Sequence, residues 1–230
     1  MVRQLGVGLP GKDVGDPAQR RHRLVVHGDF SCPWSYLASR RAVTLAADGV
    51  QVDWRAVERD PVRWGRPPDT AARFAWLRDE MTGIAAALLP GEHLPYALAG
   101  FLPHTRAAVT GYAEAYGCGL AAQVRHPLFE ALWLHGVDLA DARVVRTLLI
   151  DVVRSGSSPD EPLWAWGYGT DRSGGPVTAT ARRLVGRWQR EWRAAGAGAL
   201  PMVEADGAEP LHGRAAIDWL GAAVLGQGGR

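Results

Sequence analysis

Cysteine is scarce in this chain: Cys32 and Cys118 are the two present in 230 residues. So few exclude the multi-bridge framework of a small secreted domain, and a chain with 47% hydrophobic residues buries enough core to do without one. A reducing, cytoplasmic setting is the expectation. The first 22 residues agree with it, because Arg3, Lys12, Asp13, Asp16, Arg20 and Arg21 interrupt any apolar run of signal-peptide length. Long runs of one charge are also missing. With 26 Lys and Arg against 24 Asp and Glu the formal charge is +2, which argues against a nucleic-acid partner. The longest apolar stretch, Ile84 to Leu89, falls far short of the roughly 20 residues of a membrane-spanning helix, so membrane insertion is excluded. No two histidines share metal-ligand spacing and none clusters with cysteine, so no metal is predicted. The segment from Gly167 to Gly175 lacks the Lys-Ser or Lys-Thr pair of a phosphate-binding loop.

What is present is a clear alternation of elements. Leu24, Val25 and Val26 form a short apolar run bounded by charge and by Gly28, the pattern of a buried strand over Arg23 to Asp29. A helix over 33–47 opens with Pro33 in its first turn and stops before Gly49. Val50, Val52, Trp54 and Ala56 alternate as a second strand over Val50 to Val57. Phe74, Leu77, Met81, Ile84 and Leu88 recur at helical spacing from Thr70 to Leu89. Three further helices are predicted over Thr105 to Tyr116, Pro127 to His135 and Asp141 to Val153, separated at Gly117 to Gly119 and at Gly136. Another covers Val177 to Ala195. Two short strands, Leu200 to Ala205 and Glu209 to Gly213, flank an Asp206-Gly207 turn, and a last helix runs from Arg214 to Leu225.

That order separates a βαβ half from a ββα half by a helical module, which is how an α/β thioredoxin-like fold (βαβ…ββα) is divided when an all-helical module is inserted into it. The expected organisation is a flexible leader at 1–22, a thioredoxin-like domain from 23–69 and 177–225, a helical insert at 70–176, and a flexible tail at 226–230. The insert ends in a Gly- and Trp-rich connection at 154–176 around Trp164 and Trp166.

Cys32 stands at the junction of the first strand and the first helix. A free thiol, with a pKa of about 8.5, is mostly protonated at neutral pH. Unpaired N–H groups and the positive end of a helix dipole stabilise its anion, so a depressed pKa and a reactive thiolate are expected at this position. The Ser35 hydroxyl, three residues on, is placed to hydrogen-bond that thiolate. Asp29 is a candidate either for tuning the sulfur or for a local turn. Cys118, in a Gly-Cys-Gly loop, reads as structural. Trp34 reads as a rim or packing residue, with ten tryptophans in the chain to fill the core. His27, at the end of the first strand, reads as packed or capped.

The run Cys32-Pro33-Trp34-Ser35-Tyr36-Leu37 resembles the active-site motif of the DsbA-like oxidoreductases, in which a second cysteine normally occupies the position of Ser35. The resemblance continues through Phe101 to Ala108, with His104 where asparagine is usual. It extends over Leu128 to Trp133 and Gly136 to Asp141 of the insert, and over Gly196 to Val203, similar to the loop that carries a cis-proline opposite the cysteine. It implies catalytic roles for Cys32, Ser35 and Pro201, with Pro33, Trp34, His104 and Leu200 lining the substrate site. With serine at 35 it implies a monothiol enzyme: Cys32 attacks a disulfide and an outside thiol releases it. No bound cofactor is expected. A low-molecular-weight thiol such as glutathione or mycothiol is the implied co-substrate, a small thiol or disulfide-bearing molecule the partner, and a homodimer the implied assembly. The kappa-class glutathione transferases and 2-hydroxychromene-2-carboxylate isomerases are similar in architecture and carry a Ser-Pro-Tyr-type motif. They offer an alternative in which the reactive sulfur belongs to bound glutathione. A redox-inactive binding protein on the same fold is a third reading.

Overall fold

The structure is a computed structural model, and it describes residues 23–59, 70–93, 103–155, 169–205 and 207–227. The expected leader at 1–22, Trp164 and Trp166 lie outside the described residues. Four strands, β1 (Arg23–Gly28), β2 (Gln51–Ala56), β3 (Met202–Ala205) and β4 (Leu211–His212), form one mixed sheet in the order β2-β1-β3-β4. β1 pairs parallel with β2 and antiparallel with β3, which pairs antiparallel with β4. α1 (Pro33–Ala47) connects β1 to β2. α2 (Thr70–Ala85), α3 (Arg106–Gly117), α4 (Ala121–Trp133), α5 (Ala142–Ser155) and α6 (Ala179–Ala194) follow β2, and α7 (Gly213–Gln227) closes the chain. Among the described residues no helix is long and apolar enough to cross a membrane.

The local chemistry explains most boundaries. α1 starts with Pro33 at its first position, where the missing N–H costs nothing, and ends before Gly49 at φ +90°. α6 is capped by Thr178, whose hydroxyl accepts the Ala181 N–H at 3.0 Å. The buried Glu114 of α3 accepts the N–H groups of Val177 and Thr178, which fastens the start of α6 to the insert. At the hairpin the Ala208 N–H donates to the Ala205 carbonyl, and Gly207 takes φ +76°.

Three expected boundaries are corrected. α4 begins at Ala121, six residues before the predicted start, and carries Pro127 in its interior. An internal proline costs a helix about 3 kcal/mol, and burial of Val124, Leu128, Phe129 and Leu132 on one face offsets it. α2 ends at Ala85 instead of Leu89. The strand predicted from Glu209 shrinks to Leu211 and His212 at the sheet edge.

Both faces of the sheet are covered. Trp54 of β2 is 1% exposed and meets Phe129 of α4 edge-on at 5.6 Å, while Tyr112 of α3 donates its hydroxyl to the Trp54 carbonyl at 3.0 Å. The insert is thereby locked to the sheet. On the opposite face the register aligns Arg55, His27, Met202 and His212 across all four strands, and Glu191 of α6 packs over them, accepting from Arg55 at 3.0 Å.

Candidate functional site around Cys32

β1 ends at Gly28, and the chain must turn from sheet to helix within four residues. Asp29 makes that turn. Its buried carboxylate accepts the Ser31 N–H at 2.8 Å, the Ser31 hydroxyl at 3.0 Å, the Thr105 hydroxyl at 2.9 Å and the Arg59 N–H at 2.7 Å. Its backbone carbonyl accepts the Cys32 N–H at 3.0 Å. One carboxylate therefore ties the cysteine turn to the start of α3 and to the exit of β2. Trp133 of α4 adds a third anchor by donating its indole N–H to the Phe30 carbonyl at 2.9 Å. Both roles open to Asp29 are met: its carboxylate builds the turn, and its negative charge adds to the rise of the Cys32 thiol pKa.

Cys32 is the N-cap of α1, in extended conformation, and its side chain caps no helix N–H. The thiol instead donates across to the Leu200 carbonyl, with Sγ 3.6 Å from the oxygen. The Leu200–Pro201 peptide bond is cis, the state the resemblance implies. Gly213 holds this loop from behind, its N–H shared between the carbonyls of Ala199 at 3.1 Å and Pro201 at 2.8 Å. Cys32, Pro33, Ser35, Leu200 and Pro201 thus come together as expected from residues 168 apart, all of them buried.

The electrostatics depart from expectation. Burial is the dominant influence on Cys32, 2% exposed, and pushes its thiol up, with the Asp29 charge adding to the rise; the positive charge of Arg59 and the nearby polar groups of Ser35 pull the other way without cancelling it. The expected depressed pKa is corrected: at rest the sulfur is a protonated thiol hydrogen-bonded to a backbone carbonyl. Ser35 itself is fully buried, and its hydroxyl also accepts the Asp29 N–H at 3.3 Å.

The remaining candidates fall around this centre. Trp34 is half-buried, donates its indole N–H to Glu80 of α2 and lies under the Arg214 guanidinium of α7 at 5.8 Å. Gly83 of α2 approaches it so closely that a Cβ there would lie 3.0 Å from the ring. His104 is exposed, and its neighbour Thr105 is the one that reaches the cysteine turn. Thr105 and Arg59 were missed by sequence reasoning, since only the fold brings them to Asp29. Cys118 caps the other end of α3 from Thr105, and twelve helical residues span about 18 Å, which leaves Cys118 beyond the roughly 7 Å that a disulfide allows. His27 is packed under α6, away from the sulfur.

No family model matches this sequence, and no curated protein sequence does. Solved structures do match. A cytosolic disulfide reductase, DsbM from Pseudomonas aeruginosa, superposes with a TM-score of 0.63 at 16% identity, over 90% of this chain and 97% of that one. The same enzyme solved with GSH gives 0.62. A 2-hydroxychromene-2-carboxylate isomerase gives 0.58 at 18% identity over 90% and 96%, and a probable DsbA oxidoreductase from Streptomyces coelicolor gives 0.57 at 19% over 91% of each chain. With Cys32 at the sheet-to-helix junction and a cis-proline loop facing it, the chain has the thioredoxin fold with a helical insertion that the DsbA-like oxidoreductases and this isomerase share.

Proposed function

We propose that this protein carries out thiol–disulfide exchange through Cys32 alone, with a small thiol as the second reactant, in a reducing cytoplasm. The observation that carries the reading is the 3.6 Å approach of the Cys32 sulfur to the Leu200 carbonyl, which sets the thiol beside the cis-proline loop at the start of α1. The Cys32 sulfur attacks one sulfur of a disulfide, forming a mixed disulfide, and the departing sulfur takes up the proton that Cys32 releases. A second small thiol then attacks the mixed disulfide, restores the Cys32 thiol and leaves as the new disulfide. Ser35 cannot resolve the intermediate, and Cys118 lies too far away. Ser35 and Arg59 support the transient thiolate, since both lower the cost of its charge.

Intact-mass analysis after incubation with glutathione disulfide tests the reading. A mixed disulfide is expected on the wild type and none on Cys32→Ser. Because burial raises the thiol, the adduct should form faster as pH rises, with the rise continuing above the free-thiol value of about 8.5. A rate already level at pH 7 would contradict the protonated resting state. Ser35→Ala should slow exchange about tenfold, the loss of one hydrogen bond to a charged sulfur.

One observation favours a second reading, of transferase or isomerase type. A buried, protonated Cys32 is also what a site would show if the reactive sulfur arrived on bound glutathione, as the GSH complex of DsbM illustrates for a bound thiol on this fold. In that case conjugation activity survives Cys32→Ser and falls in Pro201→Ala.

A further inference from the structure

The rim of the cysteine site carries two arginine–tryptophan stacks, and they are not equivalent. Arg214 lies over Trp34 at 5.8 Å, but Asp218 engages its guanidinium at 2.8 Å. Arg59 lies over Trp76 of α2 at 4.8 Å, and among the described residues no carboxylate pairs with it. By contrast, Arg23 and Arg55 share Asp53, and Arg41 is bound by Glu92. Arg59 is exposed, yet its backbone is fixed: its N–H is the one that Asp29 holds at 2.7 Å, in the same turn that presents Cys32. A guanidinium stacked on an indole keeps its N–H edge outward, the geometry that grips a carboxylate with two parallel hydrogen bonds.

We propose that Arg59, stacked on Trp76 and pinned to the cysteine turn, is the docking point for a carboxylate of the small thiol, which makes the co-substrate an acidic thiol of glutathione type and not a neutral sugar thiol of mycothiol type. This rests on the exchange reading given above and adds to it the charge of the partner and the residue that selects it. Arg59 and Cys32 are both held by Asp29, the one through its backbone N–H to the carboxylate and the other through its N–H to the carbonyl, so the guanidinium is rooted beside the sulfur it would serve. Trp76 holds the guanidinium in place, so it is a positioning residue.

The test uses a probe that binds without reacting. S-methylglutathione binding to the full-length protein is measured by calorimetry for wild type, Arg59→Gln, Arg59→Lys and Trp76→Ala. Arg59→Gln is expected to weaken binding about tenfold, the loss of a charge-assisted hydrogen-bonded pair. Arg59→Lys should restore part of it, Trp76→Ala should weaken it less than Arg59→Gln, and 0.5 M salt should erase most of the difference. Exchange rates are followed in parallel with glutathione disulfide and with the neutral bis(2-hydroxyethyl) disulfide. Arg59→Gln slows both by raising the Cys32 thiol further, and the acidic disulfide should fall by an additional fivefold or so. Equal binding by wild type and Arg59→Gln, or binding by neither, overturns the assignment. If the neutral disulfide still modifies Cys32 in that event, the exchange reading stands without it; if neither disulfide reacts, both fall.

Discussion

The turn that presents Cys32 and the sheet face beneath α6 bury polar groups in opposite ways. In the turn both carboxylate oxygens of Asp29 have donors, drawn from Ser31, Arg59 and Thr105. Beneath α6, His27 is 1% exposed and among the described residues neither ring nitrogen has a hydrogen-bond partner; Nδ1 of His212 and the indole N–H groups of Trp188 and Trp192 on α6 itself are in the same condition. The Glu191 carboxylate stands 3.8 Å from His27 Nε2, too far for a hydrogen bond. Burial, reinforced by the positive charge of Arg55, lowers the His27 pKa to about 4, so this contact is not an ion pair at neutral pH. A saturated network fixes a loop in one geometry, whereas an unsatisfied one leaves a face sensitive to conditions.

Each side of that contrast can be broken separately. The largest effect is expected from Asp29→Ala, which strands two N–H groups and two hydroxyls inside the protein and should cost about 3 to 5 kcal/mol in urea unfolding. Loss of less than 1 kcal/mol would mean that the turn holds itself. Acid should act on the other region. His27 is neutral in the folded protein down to about pH 4 but titrates near 6.5 when unfolded, so the unfolded chain binds the extra proton between those values. Stability should therefore fall as pH drops from 7 to 4, by about 3 kcal/mol from this residue, and His27→Phe should flatten the slope. An unchanged slope in that variant would reassign the acid sensitivity. The smallest effect belongs to the start of α6: Thr178→Ala removes the cap of that helix and one hydrogen bond to Glu114 and should cost about 1 kcal/mol in thermal unfolding.

Much of the architecture was readable from the chain because it rests on local signals. Pro33 and Gly49 bracket α1, and the Val25–Val26 run marks β1, all within a few residues of the structure they specify. Pro127 misled for the same reason: a local rule was overridden by the apolar face that α4 buries. The site was legible in its cysteine and in its proline loop, the latter through the family resemblance and not through any local preference for cis. Its other partners were not. Thr105 and Arg59 meet Asp29 across 76 and 30 residues, a closeness that only the topology creates. The direction of the Cys32 pKa went unseen because a helix start is visible in a sequence, while the side chains that wall off a sulfur are not.

The hydrogen bond from Cys32 to Leu200 has one more consequence. A thiol kept protonated and enclosed reacts slowly with peroxide, because the anion is the form that climbs to sulfenic and then irreversible acids. The enclosure that slows this sulfur also preserves it in the reduced form that exchange requires.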